Sequence, residues 1–287
     1  MTYIKFVLIG IFILLVLFIG GSFIAKILFN QNVEKEVKVL FSKVENKKEI
    51  VTKAETEGLP KNVQMWLEYS GVIGKEKIKA VRLKQKAEMR LAKDKAWMPV
   101  QAEQYFTTEE PGFIWKANIE AAPLFHISGR DKYENGKGNM LIKVLSLFTV
   151  ADSEGKEIDQ GTLLRYLAEM IWFPSAALNE YLIWEEIDEY HAKVTMTYGE
   201  ITASGVFTFN NKGEVVNYEA ERYGEFEGEL RLETWSIPVR EYKQFAEISI
   251  PTKGDVTWKL DSGDYNWFNF EITEIEYNNP ISYLWEE

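Results

Sequence analysis

Residues 81–91, VRLKQKAEMRL, alternate apolar and polar side chains and decide the fold class. Successive side chains of a β-strand point to opposite faces, so this stretch predicts a strand with one buried face and one wet face. The alternation returns in five later runs, at 113–119, 192–198, 201–209, 256–260 and 265–277. Turn signals separate them, at 135–136 (Asn-Gly), 210–213 (Asn-Asn-Lys-Gly) and 261–264 (Asp-Ser-Gly-Asp). Such strands joined by short turns indicate an antiparallel sheet.

The expected fold is α+β, with a strongly curved antiparallel sheet that forms a partial barrel covered by helices. The pattern predicts about ten strands, which is too many for a flat open sheet. Residues 159–179, DQGTLLRYLAEMIWFPSAALN, have helical spacing instead. Asp159 or Thr162 is a candidate cap, and Pro174 ends this helix or begins a second one. An inserted helix suits the concave side of a curved sheet.

Residues 6–25 form an uncharged apolar stretch of 20 residues between Lys5 and Lys26. As a helix it is about 30 Å long, which matches the hydrocarbon core of a bilayer. A cleaved signal peptide is the rival interpretation, although its apolar core is usually shorter. We predict a transmembrane anchor within 1–30, a helical juxtamembrane stalk over 31–58 and a β-rich domain over 59–287.

The charge pattern leaves the side of the membrane open. Lysines after the span favour a cytoplasmic domain by the positive-inside rule, whereas a short tail before the span is typical of a signal anchor that exports the domain after it. We expect a single-pass protein of the cell membrane with an extracytoplasmic domain.

Composition excludes several classes of function. The net charge of −11 makes nucleic-acid binding unfavourable. The absence of cysteine excludes disulfides, iron–sulfur clusters and thiol nucleophiles. His126 and His191 are the only histidines, which excludes a three-histidine metal site. The sequence contains no GxSxG, P-loop or dinucleotide fingerprint. We expect no metal and no cofactor.

Arg165, Glu169 and Trp172 form the first candidate group, since spacings of four and three place them on one side of a helix. They could bind a polar head group or act as a positioned acid–base pair. The plainer interpretation is an intrahelical ion pair with a tryptophan packed beside it.

Arg222 is the second candidate because it continues the apolar strand face of Tyr218 and Ala220. An inward arginine needs a carboxylate partner, for which Glu169 is available, or an anionic ligand. The alternative is that the strand ends there and Arg222 reaches water.

Asp131 is the third candidate, because it shares a strand face with Ile127 and Tyr133 and could be an inward carboxylate. It also precedes the Asn-Gly turn at 135–136, and the sequence favours a turn-capping role.

A run at 165–174, Arg-Tyr-Leu-x-Glu-x-x-Trp-x-Pro, is the most specific motif of the chain. Further landmarks are Leu59-Pro60, the strand at 81–90, Trp97-Met98-Pro99, Phe113-Ile114-Trp115, Trp184, Gly213, Arg222, Pro251 and Trp258. With these landmarks, residues 59–278 resemble a bacterial family of membrane-anchored proteins of unknown function, which implies no activity. The predicted architecture also resembles the LolA and LppX lipoprotein carriers, which hold acyl chains between an incomplete barrel and its helices.

Three functions remain open from the sequence. The leading hypothesis is a non-enzymatic, membrane-tethered module that binds a lipid or other amphiphile. Nine Trp, 14 Tyr and 17 Phe would supply the apolar surface. The candidate ligand-binding residues are Asp131, Arg165, Glu169, Trp172, Trp184 and Arg222. One alternative is an envelope hydrolase that uses Glu169 as acid or base. The other is a structural or partner-binding domain, with an unknown protein partner.

Overall fold

A computed structural model describes residues 2–45 and 47–283 of the chain. Asn46 of the predicted stalk and positions 284–287 of the predicted domain lie outside the described residues. The α-helices are α1 (Thr2–Phe41), α2 (Lys61–Ser70) and α3 (Lys156–Glu169), and the 3-10 helices are Lys53–Thr56, Met170–Trp172 and Pro174–Leu178. The strands are β1 (Ala80–Met89), β2 (Met98–Thr107), β3 (Gly112–Ala122), β4 (Phe125–Glu134), β5 (Lys137–Val144), β6 (Phe148–Ser153), β7 (Leu182–Glu186), β8 (His191–Tyr198), β9 (Ile201–Phe209), β10 (Val215–Phe226), β11 (Glu229–Phe245), β12 (Ile248–Lys259) and β13 (Tyr265–Tyr277).

The 13 strands of the described residues form one antiparallel sheet that curls into a half-barrel. Its order is β6-β5-β4-β3-β2-β1-β13-β12-β11-β10-β9-β8-β7. Strands that follow one another in sequence therefore pair, except β6 and β7, which form the two edges, and the first strand β1 pairs with the last strand β13. The predicted fold class is confirmed. The predicted number of strands was too low, because the edge strands β6 and β7 have only six and five residues and little alternation.

The segment between the two edge strands, α3 with the 3-10 helices after it, packs on the concave face of the sheet. Phe173 lies 4.8 Å from Phe106 of β2, measured between ring centroids. Leu163, Leu164 and Leu167 of α3 are buried in the same core, as their spacing predicts. This inserted segment therefore closes the inside of the half-barrel where it crosses the strands.

The predicted cap of this helix was wrong. The helix begins at Lys156 after Gly155, and the Asp159 carboxylate accepts a 2.7 Å hydrogen bond from the backbone N–H of Gly138 instead. The hydroxyl of Thr162 donates to the carbonyl of Ile158 at 2.8 Å. These side chains therefore fix α3 to the β4–β5 hairpin and to its own preceding turn.

Helix α1 runs for 40 residues without a break, and within the described residues it is the helix long and apolar enough to span a membrane. Its last third packs on the convex face of the sheet, where Val33, Val37 and Leu40 are buried against Tyr105 and Ile114. The helical part of the predicted stalk is thus the docked end of α1. The described residues between positions 42 and 58 contain one 3-10 turn and no α-helix.

Candidate functional site

A polar row crosses the otherwise apolar concave face of the sheet. Gln104 of β2, Trp115 of β3 and Asp131 of β4 are direct cross-strand neighbours. Gln85 of β1 accepts a 3.0 Å hydrogen bond from the indole N–H of Trp115. Asp131 therefore lies inside a strand, and the favoured turn-capping interpretation of this residue was wrong.

Arg165 of α3 lies over this row and binds two carboxylates. Its Nη1 donates to Oδ2 of Asp131 at 2.6 Å, and its Nε donates to Oε1 of Glu169 at 2.8 Å. The guanidinium also stacks on Trp115, 4.9 Å from the ring centroid. Burial disfavours the cation, but the two carboxylates outweigh this effect and raise the pKa of Arg165. The predicted intrahelical ion pair is confirmed, with Trp115 rather than Trp172 as the stacking partner.

Glu169 is held on both oxygens, since Oε2 accepts a 2.7 Å hydrogen bond from Nε2 of Gln104. Burial raises the pKa of Glu169, in spite of the opposing effect of Arg165. The hydrolase alternative requires Glu169 and Asp131 to converge, and they do converge, but on one guanidinium. A general acid or base needs an oxygen within reach of substrate, and these oxygens are already bonded within the protein.

Arg222 of β10 faces inward and, within the described chain, forms no hydrogen bond or ion pair. Its Nε is buried without a partner. The guanidinium lies 4.6 Å from the ring centroid of Trp235 and 5.9 Å from that of Trp258. Glu233 is its direct cross-strand neighbour, yet Glu233 pairs with Arg231 at 3.3 Å. The strand does not end at Arg222, because β10 continues to Phe226, and the side chain is half-buried rather than fully exposed.

Space for the Arg222 guanidinium comes from Gly161 of α3. A Cβ atom at position 161 would lie only 3.2 Å from Nε of Arg222. Burial, followed by the charge of Arg165, lowers the pKa of Arg222 to about 10. The side chain thus keeps its proton at neutral pH and remains a cation without a partner.

Trp172 and Trp184 serve the core instead. The indole N–H of Trp172 donates to the carbonyl of Pro251 at 3.2 Å, and that of Trp184 donates to the carbonyl of Ala177 at 3.0 Å. Trp172 is buried, and Trp184 packs against Phe207 at 5.6 Å between ring centroids. We therefore leave both tryptophans out of the proposed ligand site.

Sequence reasoning missed Gln85, Gln104 and Trp235 of this region. The two glutamines carried a usable signal, because each stands on the apolar face of an alternating strand, as Arg222 does. Gln85 lies between Leu83 and Ala87 on that face. An amide at such a position needs a buried hydrogen-bond partner, which points to a polar network.

One family model matches residues 49–270, and its description is a family of unknown function, DUF6544. The chain belongs to this family. The match begins after α1 and includes all the polar residues of this site, from Gln85 to Arg222. The predicted resemblance to a family of unknown function is confirmed. A comparison with curated proteins finds no match.

Several solved structures are similar to this DUF6544 protein at low TM-scores. One is a putative outer membrane lipoprotein-sorting protein domain from Vibrio parahaemolyticus, with 7% identity, a TM-score of 0.44 and coverage of 71% of this chain and 87% of that one. A LolA superfamily protein from Nitrosomonas europaea has 11% identity, a TM-score of 0.42 and coverages of 76% and 94%. A DUF1329 family protein from Desulfovibrio piger has 8% identity, a TM-score of 0.43 and coverages of 77% and 93%. At these values the likenesses assign no ligand and no activity to this chain.

Proposed function

We propose that this DUF6544 protein is a membrane-anchored, non-enzymatic module that binds an anionic amphiphile on the concave face of its sheet. Arg222 holds the anionic head, and the aromatic side chains around it hold the apolar part. The observation that carries the proposal is the inward guanidinium of Arg222, whose Nε is buried without a partner and which forms no hydrogen bond or ion pair within the described chain.

A buried cation is costly unless it is paired, and proteins rarely leave one unpaired. Arg165 differs from Arg222 in this respect, because Asp131 and Glu169 satisfy it within the protein. An arginine can bind a phosphate or carboxylate with two parallel hydrogen bonds. Arg222 is thus the group on the concave face that an anionic head group would complete.

Apolar side chains line the concave face at one end of the half-barrel, where β10 ends and β4 begins. The ring of Phe226 contacts that of Trp258 at 5.3 Å between centroids. Others remain half-buried although they point inward, and these are Ala87, Met89, Met98, Ile127 and Phe268. Half-buried apolar side chains next to a cation suit a ligand with one charged end and one apolar end.

The anchor part of the proposal rests on α1. Its apolar stretch is exposed to the surroundings rather than packed in the protein, which suits lipid. The helix continues without a break into the docked segment that carries Val33 and Leu40. We place the domain outside the cytoplasm. Protease added to spheroplasts should cleave it there, whereas protection that is lost only when the cytoplasmic membrane is permeabilised would place the domain in the cytoplasm.

The test uses the full chain in vesicles that contain a dodecyl phosphate with a diazirine on its alkyl chain. After photolysis, mass spectrometry of peptides locates the cross-links. We expect cross-links on peptides of the concave face, around Phe226 and Trp258. Arg222→Met should reduce them about tenfold or more, as the loss of a charge-assisted hydrogen bond predicts, and Arg222→Lys should reduce them less.

Cross-links to α1 are the internal control, because lipid around the anchor does not depend on Arg222. A neutral dodecyl glycerol ether with the same diazirine should label α1 and not the concave face. The proposal is wrong if the anionic probe labels α1 alone, or if Arg222→Met leaves the labelling of the concave face unchanged.

A further inference from the structure

Two hairpin turns lie side by side at one rim of the half-barrel, the β3–β4 turn at 123–124 and the β5–β6 turn at 145–147. The register of β4 on β5 pairs Ile127 with Val144, and the backbone N–H of Leu145 donates to the carbonyl of His126 at 2.8 Å. The two turns therefore project in the same direction.

These turns and the strand residues next to them present apolar side chains, where hairpin turns usually carry polar ones. Leu124 is 87% exposed, Phe148 is 57% exposed and Val150 is 60% exposed. Phe125 and Leu147 are exposed as well. We call these five residues the apolar rim. A contiguous exposed apolar surface marks an interaction site, and its partner must be apolar too.

Helix α1 fixes the level of the apolar rim relative to the apolar stretch 6–25. The hydroxyl of Ser22 donates to the carbonyl of Leu145 at 2.9 Å, and Ser22 is buried by this contact. Ser22 lies within that stretch, four residues before Lys26. At 1.5 Å per residue, the contact lies about 6 Å on the bilayer side of Lys26.

The contact of α1 with the turns continues along the helix. Leu28 and Phe29 of α1 line an apolar groove of about 360 Å³ together with Leu147. Further along, Val33 and Val37 are buried against the sheet. The turns therefore cannot swing away from the helix without exposing this interface.

We propose that the apolar rim enters the lipid bilayer beside α1, so that the half-barrel is seated on the membrane rather than suspended from it. This inference rests on the anchor part of the proposed function and is independent of the ligand. The occupant of the apolar rim is the bilayer that α1 spans. The depth inferred from Ser22 agrees with the roughly 5–10 Å to which interfacial apolar side chains reach.

The natural sequence has no cysteine, so single cysteines can report the position of each site in the full chain. We would label Leu124→Cys and Phe148→Cys with the fluorophore NBD in vesicles of phosphatidylcholine and phosphatidylglycerol. Ile183→Cys on β7, 63% exposed, is the matched aqueous control, and Phe12→Cys in the apolar stretch is the lipid control. The quenchers are lipids with a nitroxide at carbon 5 of the acyl chain and, separately, iodide in the water.

We expect blue-shifted emission at 124 and 148, with nitroxide quenching more than about twofold stronger than at 183, because the probes reach interfacial depth. Iodide should quench position 183 and spare positions 124 and 148. The inference is overturned if 124 and 148 behave like 183 while Phe12→Cys is quenched by lipid. Protection from iodide without nitroxide quenching would show a protein on the apolar rim and would overturn it too. Failure of Phe12→Cys would instead refute the anchor.

Discussion

Replacing Arg222 with methionine should stabilise the ligand-free protein, although it removes a side chain from the interior. Methionine matches the length of the arginine stem and has no charge to desolvate. Burial and then the charge of Arg165 lower the pKa of Arg222 to about 10, which corresponds to on the order of 3 kcal/mol against the charged form in the folded state. Stacking on Trp235 returns about 1 kcal/mol of this. We therefore expect Arg222→Met to raise the free energy of unfolding by about 1–2 kcal/mol.

Urea denaturation of the full chain in detergent micelles, followed by tryptophan fluorescence, measures this change. A thermal melt should show the same sign, at about 2–4 °C for each kcal/mol in a domain of this size. Arg165→Met is the matched control, because the same substitution there strands the carboxylates of Asp131 and Glu169. Breaking one side of a buried pair costs about 3–5 kcal/mol, so this control should be clearly destabilised.

The outcome that refutes the reasoning is destabilisation by Arg222→Met of about 1 kcal/mol or more, the ordinary effect of a point mutation. Arg222 would then be a structural cation whose stacking outweighs its desolvation, and the anion site would lose its support. Stabilisation together with lost cross-linking would instead show a trade of stability for binding, which is typical of a functional residue.

Further predictions concern residues around the site. Because burial raises the pKa of Glu169 above its ordinary 4.5, the folded state binds a proton more tightly than the unfolded state, and the free energy of unfolding should fall as the pH rises above about 4.5. Glu169→Gln should remove the part of this fall that Glu169 causes. Urea titrations at several pH values across about pH 4.5–7.5 give the free energy of unfolding of both proteins. If it falls with pH at the same rate in both, the prediction is contradicted. Gly205→Ala places a Cβ atom against Oη of buried Tyr218 and should destabilise the protein by about 1–3 kcal/mol. An unchanged urea midpoint would mean that the Tyr218 ring moves aside freely. Trp172→Phe loses the hydrogen bond to the carbonyl of Pro251 and should destabilise the protein by about 1 kcal/mol. The anionic probe should still label the concave face of this variant. Reduced labelling would place Trp172 in the ligand site.

Alternation along single strands was enough to predict the antiparallel sheet and the inward direction of Arg222, because both follow from a period of two. It was not enough to predict the partner of Arg165. Asp131 lies 34 residues away in sequence, and the nearby Asn-Gly turn offered a local alternative. A cross-strand row such as Gln104 and Trp115 depends on register, which single strands do not fix.

The same limit applies to α1. Helical spacing of Val33, Val37 and Leu40 predicted an apolar stripe after the membrane span, and the stripe exists. The surface that covers the stripe could not be predicted, because the convex face of a half-barrel presents polar and apolar side chains without a distinctive pattern. The stalk interpretation treated the stripe as part of a spacer, whereas its burial on Tyr105 and Ile114 holds α1 against the sheet.

The two proposals meet at one end of the half-barrel. Ile127, on the concave face, lies two residues from Phe125 of the apolar rim, so the apolar wall of the proposed ligand site would adjoin the bilayer. On β10, Arg222 lies four residues before Phe226, so the two residues are about 13 Å apart along the strand at 3.3 Å per residue. Arg222 is the more distant of the two from the apolar rim. An amphiphile that enters from the bilayer would thus reach Arg222 with its head first while its apolar part stays between Phe226 and the membrane. If the head enters first, the apolar part of the amphiphile stays out of water throughout, because it passes directly from the bilayer to the apolar wall of the concave face. If both proposals hold, seating on the bilayer would give the concave face a direct supply of ligand, which a domain suspended from a flexible tether would lack.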